Sequence, residues 1–312
     1  MTAFIFPGQG SQEPGMGRAL YEAHAEAREV FGTGSRVTGR DLAALCFEND
    51  AGTLSRTVNA QLAVFTVSMA AYAVRKGETE PPAALAGFSL GECSALCAAG
   101  CLSLEDGFRL VQKRAEAMQE ACEDGNGAMS ALLCNAPLQL YYEADGGGHN
   151  SPSQPHCGPA GAERDSRRHA AAWAVAVNFN CPGQTVVAGT PEGVAVLEER
   201  CRAAGGRVSR LALSGAFHTK AMAGAGAALR VFAGTLSFRP PAVPLYTNLS
   251  GEILSPGADI PRHLEAHMTN PVLWQKCVEN MIAAGMTRFI ETGHGSSLAK
   301  LIRRIDRGAE VL

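Results

Sequence analysis

The sequence predicts an α/β fold: a hydrolase-like core with a parallel sheet and a nucleophile elbow, interrupted by an inserted ferredoxin-like α+β subdomain. Three observations carry that prediction. Ala84-Leu85-Ala86-Gly87 is a short apolar run that leads into Gly87-Phe88-Ser89-Leu90-Gly91 and then into helix formers from Glu92 to Ala99. That strand–turn–helix layout holds a serine on a sharp turn, where flanking side chains would collide and glycines therefore fit. A rhythm of strand, glycine loop and helix also opens the chain at Thr2–Phe6 with Pro7-Gly8-Gln9-Gly10-Ser11-Gln12, and closes it at Arg288–Glu291 with Gly293-His294-Gly295. Between them the order βαββαβ is that of a small ferredoxin-like unit. Residues 1–126 and 214–312 are thus expected to form a large catalytic domain and residues 127–213 a small one, with a substrate cleft between.

Taken in order, Thr2–Phe6 is a buried strand, and the loop after it leaves the end of a parallel strand, where α/β proteins commonly place function. No Gly-Lys-Ser/Thr follows, so it is not a phosphate cradle. Helical patterns run from Gly17 to Phe31 and from Asp41 to Phe47; a third, from Asn59 to Val74, is apolar on nearly every side and should be buried. Pro81-Pro82 breaks the chain before the Ser89 strand. Ser103 caps a helix from Leu104 to Ala121 that carries Arg109, Lys113 and Arg114.

In the insert, Ala128–Leu133 is a strand and Pro137–Ala144 a short helix. Val175–Asn178 and Thr185–Ala188 are strands joined through Asn180-Cys181-Pro182-Gly183 as a hairpin. Pro191–Ala204 is a helix and Val208–Leu213 a closing strand. Gly146 to Arg168, rich in Gly, Pro, Ser and His, reads as an extended loop; His149, His156 and Cys157 there, with His169 just after it, lack the spacing of a metal site. The last third returns to the larger pattern: a helix over Ala221–Leu236, a strand over Val243–Asn248, helices over Pro261–Met268 and from Trp274 to Ala284, the Arg288–Glu291 strand and a final helix through Leu301.

At 312 residues, 46% hydrophobic and 18% charged, the chain is long and apolar enough for a sizeable core. A net charge of −3 leaves no footprint for nucleic acid or an anionic membrane. No apolar run is expected to cross a bilayer, and the N-terminus lacks the pattern of a signal peptide. The 10 cysteines sit in apolar context, with Cys93, Cys97 and Cys101 sharing a helix face as small core residues, which suits a reducing cytoplasmic setting.

A serine hydroxyl needs a base to take its proton. Of eight histidines, His218 differs in position, because it follows the last strand of the insert, where the chain re-enters the main domain at the mouth of the cleft. Spacing alone does not join it to Ser89. A run of motifs does more. Phe6-Pro7-Gly8-Gln9-Gly10-Ser11-Gln12, Gly87-Phe88-Ser89-Leu90-Gly91-Glu92, Gln112-Lys113-Arg114 with Met118-Gln119, Val177 to Gln184, Gly215-Ala216-Phe217-His218 and Asn270-Pro271-Val272-Leu273-Trp274 occur in that order. Together they resemble the malonyl-CoA:acyl-carrier-protein transacylase family over the whole chain apart from Gly146 to Arg168.

The resemblance implies a malonyl-serine intermediate on Ser89, with His218 as general base and later acid, held by a main-chain carbonyl at His267, where the family often has glutamine. It implies an oxyanion hole of the Gln9 and Leu90 N–H groups, Arg114 as the clamp on the malonyl carboxylate, and Phe217 as a residue that narrows selectivity. Malonyl-CoA and the phosphopantetheine thiol of an acyl carrier protein would be the partners, with no metal or redox cofactor. Phe88 departs from the family, which mostly has histidine there. Rival readings are a free-standing acyltransferase of a polyketide synthase, which shares every motif; a serine acyl hydrolase, against which Arg114 and the Gly-Gln-Gly-Ser-Gln loop speak; and a non-catalytic carrier-docking module, which has no use for Ser89, His218 and Arg114.

Overall fold

A computed structural model of the protein describes residues 1–123, 125–143, 171–213 and 215–312. The stretch Gly146 to Arg168, with His149, His156 and Cys157, lies outside them, as does His169. Two five-stranded sheets organise the described residues. The first is wholly parallel and joins β1 (Thr2–Phe6), β2 (Ala84–Gly87), β8 (Leu245–Tyr246), β9 (Arg288–Glu291) and β10 (Glu310–Val311) in the order β10-β9-β1-β2-β8.

Successive strand side chains point to opposite faces, and the apolar residues of β1 divide accordingly. Phe4 and Phe6 enter a core with the long helices α2 (Ala25–Thr38), α5 (Thr57–Glu78), α7 (Leu104–Glu120), α9 (Ala223–Ala233) and α10 (Ile260–Thr269). Ala3 and Ile5 enter a second core with α11 (Trp274–Ala283) and α12 (Ser297–Ile305). Both faces of the parallel sheet are therefore covered, which is why its central strands β1 and β2 read as near-continuous apolar runs.

The second sheet is antiparallel, in the order β4-β5-β6-β3-β7, with β3 (Ala128–Leu133), β4 (Tyr141–Glu143), β5 (Trp173–Cys181), β6 (Gln184–Gly189) and β7 (Arg207–Arg210). Omitting β4, its order is that of a ferredoxin-like sheet. One face packs α8 (Pro191–Ala203) through Ala128, Leu132, Val187, Val194 and Leu197. The other turns Met129, Ala131 and Val186 into the large core. Backbone bonds from Val272 to Val177 and from Phe179 to Val272, of 2.8 and 2.9 Å, fasten it to the chain just before α11.

Several expectations are corrected. The helix expected over Pro137–Ala144 is replaced by β4, because Tyr141 and Tyr142 pair with Val175 and Ala174 at a sheet edge; tertiary pairing outweighs local propensity there. The pattern from Gly17 to Phe31 breaks at His24, giving α1 (Arg18–Ala23) and then α2, which runs on to Thr38. The strand expected over Val243–Asn248 shortens to Leu245–Tyr246, and the helix expected from Ala221 begins as a tight 3-10 turn over Lys220–Met222. Sequence reading passed over α4 (Ala51–Ser55), which is capped by the Asp50 carboxylate, and β10. The remaining short helices are α3 (Leu42–Phe47) and α6 (Gly91–Ala98). Finally, α5 is long and apolar enough to cross a membrane, contrary to expectation, but 83% of its most apolar window is buried inside the protein. It is the core helix of the α/β fold.

Candidate active site

Adjacent strands end at the same edge of the parallel sheet, so the loops after β1, β2 and β8 meet there. Ser89 stands in the turn between β2 and α6 with a positive φ of 51°. The turn is tight enough to require both flanking glycines. A Cβ on Gly87 would lie 2.0 Å from the Gly91 carbonyl carbon, and one on Gly91 would lie 2.1 Å from the Phe6 oxygen. Among the described residues the only other non-glycine residue with positive φ is His218, at 62°. Held strain of this kind persists where surrounding structure over-determines it, and here the two strained residues touch: Ser89 Oγ and His218 Nε2 are 2.7 Å apart.

The tautomer of His218 follows from its other nitrogen. Nδ1 lies 3.0 Å from the His267 carbonyl oxygen and 3.2 Å from that of Asn270. Carbonyl oxygens only accept, so Nδ1 carries the proton and donates, leaving Nε2 as acceptor for the serine hydroxyl. Burial, then the neighbouring His267 and Arg114, push the His218 imidazole down to about 3, so it is neutral at physiological pH and free to take a proton.

Arg114, on α7, is 2% exposed and points its guanidinium at the serine, Nη2 donating to Ser89 Oγ at 3.4 Å. Its Nη1 donates to Gln61 Oε1 at 2.7 Å, and Gln61 in turn donates to Gln9 Oε1 at 3.3 Å. Among the described residues no carboxylate pairs with Arg114. A buried, unpaired guanidinium is costly, and burial pushes its pKa down. The arrangement is suited to an anionic group arriving beside Ser89.

The N–H of Leu90, at the start of α6, and that of Gln9, in the loop after β1, make no hydrogen bond among the described residues. The Ser89 N–H is taken: it donates to Asn248 Oδ1 at 2.7 Å. Phe217 is buried beside His218 and packs into the large core, its ring against the site of Gly215. Phe88 sits edge-on to Trp274 with ring centroids 5.7 Å apart.

The structure thus brings Ser89, His218, Arg114 and the His267 carbonyl together, with Gln9 joined through Gln61. Sequence reading missed Gln61, Asn248 and Asn270. Gln61 had left a signal, a polar residue in the middle of an otherwise apolar helix. Asn248 had left none, since only the order of strands places β8 beside β2.

An acyl transferase domain model matches residues 3–156. The malonyl CoA-acyl carrier protein transacylase of Bacillus subtilis is 36% identical over 306 residues, covering 98% of this chain and 90% of its own. The crystal structure of the malonyl-CoA:acyl carrier protein transacylase from Xanthomonas oryzae pv. oryzae superposes with a TM-score of 0.84 at 32% identity, covering 99% of this chain and 93% of that one. A malonyl-transacylase in complex with its type II polyketide acyl-carrier protein superposes equally well, with a TM-score of 0.84 at 31% identity over 99% of this chain and 94% of its own.

Proposed function

The chain belongs to the malonyl CoA-acyl carrier protein transacylases, and from that premise we propose that it moves a malonyl group from malonyl-CoA to the phosphopantetheine thiol of acyl carrier protein through an ester on Ser89. The 2.7 Å contact between Ser89 Oγ and His218 Nε2, beside an unpaired buried arginine, carries this reading. Neutral His218 takes the hydroxyl proton as Oγ attacks the thioester carbonyl. The developing oxyanion is received by the Leu90 and Gln9 N–H groups, each such donor being worth roughly 3 kcal/mol. When the C–S bond breaks, the sulfur of CoA leaves with the proton from His218. The carrier thiol then repeats the sequence in reverse, giving its proton to His218 and releasing Ser89.

Arg114 pairs with the malonyl carboxylate, and Phe217 narrows the space beside the acyl group. The Arg114 contact holds the acyl-enzyme in one pose, and no redox or metal chemistry is needed for either step. Malonyl supply for fatty-acid synthesis in the cytoplasm is the setting this activity fits. A polyketide carrier is the second reading, favoured by the likeness to the transacylase bound to its type II polyketide carrier.

Intact-mass measurement tests both. Malonyl-CoA adds one malonyl group to the wild type, holo acyl carrier protein removes it, and Ser89→Ala takes none; an adduct on Ser89→Ala sinks the assignment. Relative discharge rates with fatty-acid and polyketide carriers choose between the two settings, and free malonate as the main product would make the protein a hydrolase.

A further inference from the structure

An ion pair that the chemistry above does not use, between buried Glu92 and the partly exposed His263, lies directly behind the elbow. Glu92, on the first turn of α6, and Asn248, past the end of β8, are both fully buried. The Asn248 carboxamide fastens the turn from both sides: its Nδ2 donates to the Gly87 carbonyl and its Oδ1 accepts from the Ser89 N–H, each at 2.7 Å. The Asn248 backbone N–H donates to Glu92 Oε2 at 2.7 Å. The other carboxylate oxygen, Oε1, accepts from His263 Nε2 at 2.5 Å. His263 lies on α10 one turn before His267, whose carbonyl accepts the His218 Nδ1 proton. The chain of contacts therefore closes on itself: it leaves Ser89 through its N–H and returns to Ser89 through Oγ and His218.

We propose that Glu92 and His263 are a positioning pair for acyl transfer: their contact ties the elbow that presents Ser89 to the helix whose carbonyl aims His218. The proposal rests on the reading of Ser89 and His218 as the acyl-transfer pair. Neither residue of the pair touches the reacting atoms. They set the distance between two elements on which the 2.7 Å serine–histidine contact depends, and small misplacements of that kind are costly in rate.

Charge matters to the pair. Burial opposes ionisation of Glu92, but the neighbouring His267 and His263 and the bonds from His263 and Asn248 outweigh it and hold the carboxyl down at about 2. Burial likewise opposes a charge on His263, and Glu92 overcomes this and raises its pKa. His267 is driven down to about 4, chiefly by burial, so its ring is neutral between the other two, 5.3 Å from His218 and 6.3 Å from His263. Other groups around the pair are Arg114 on α7, which acts on His267; Cys277 on α11, which burial and then Glu92 keep protonated; Lys220 in the 3-10 turn; and Arg230 on α9, paired with Glu265 at 2.8 Å. Because the His263 pKa is raised, the pair is intact at low pH and is lost as pH rises through the elevated value, which strands Glu92 as an unpaired buried anion.

The test compares wild type, His263→Gln and the double variant Glu92→Gln/His263→Gln in malonyl transfer across acidic to alkaline pH, with the His263 ring titrated by NMR in the wild type. In His263→Gln, kcat falls by about 100-fold while KM for malonyl-CoA moves by less than about twofold. The alkaline limb that tracks His263 in the wild type disappears in both variants. The double variant recovers much of the lost kcat, since no buried charge is left alone. A folded His263→Gln with unchanged kcat and pH profile overturns the proposal, as does a wild-type alkaline limb that departs from the NMR midpoint. The latter comparison decides the matter should the single variant fail to fold. If wild type forms no malonyl-Ser89 adduct, the proposed function and the pair fall together; if it does and His263→Gln behaves as wild type, the pair alone falls.

Discussion

Arg114 shows how much chemistry one side chain can declare. A guanidinium that is 2% exposed, braced by Gln61 and without a carboxylate partner among the described residues, is a charge awaiting a counter-ion. Its fork makes two charge-assisted bonds to a carboxylate, which an acetyl group cannot supply. Arg114→Ala is therefore expected to lose malonyl transfer by about 3 kcal/mol, or on the order of 100-fold in kcat/KM, while acetyl transfer from acetyl-CoA holds or rises. Parallel rates with the two thioesters check this, and an unchanged malonyl preference removes the clamp. This residue was reached only through the Gln-Lys-Arg motif; taken alone, an arginine on an amphipathic helix reads as a solvated one. Gln61 was the reverse case, a polar residue on a core helix whose partner sat 53 positions away in sequence.

Among the elements, the elbow was the most legible, because its geometry is local. Gly87 and Gly91 are demanded by contacts within the turn and with the neighbouring strand end, and Ser89 by its place between them. An added methyl at Gly91 meets the Phe6 carbonyl oxygen at 2.1 Å, backbone that has no room to move. Gly91→Ala is expected to destabilise the protein by about 1–3 kcal/mol and to slow Ser89 acylation in the folded fraction. Denaturant titration and acylation rate measured together check this, and wild-type values for both would mean that the turn is looser than its contacts indicate. Caps were equally local: Ser103, Thr190 and Asp41 each accept from the backbone N–H three residues on. The 137–144 segment failed for the opposite reason. Its strand exists because Trp173–Val175 lies alongside, and no local pattern announces a partner separated by a long insertion.

For the whole molecule, the ionisable groups buried around the site set how it responds to acid. His218 and His267 are pushed from 6.5 to about 3 and about 4, chiefly by burial. In the unfolded chain they bind protons near pH 6.5, so the unfolded state holds more protons and stability falls as pH drops below that value. Glu92, lowered from 4.5 to about 2 by its histidine neighbours against burial, adds stability above 4.5 that is lost as pH falls through 2. All three act in one direction. Stability from denaturant titration is expected to decline steadily from near-neutral pH to about 2, and His267→Gln, which removes one buried imidazole, should flatten the slope between pH 4 and 6.5. An equal slope in the variant would show that His267 does not contribute.

By itself the sequence determined four of the five strands of the parallel sheet, the turn that strains Ser89, the principal helices of the α/β core and the family to which the chain belongs. Each depends on residues close together in the chain or on motifs whose order survives any folding. Tertiary structure alone decided what surrounds the serine. The order β10-β9-β1-β2-β8 sets Asn248 beside Ser89 across 159 positions, and the return of α10 over α6 sets His263 on Glu92 across 171. Hydrogen bonds act over about 3 Å regardless of separation along the chain, so the partners that hold the active pair in place are invisible until the strands are in register.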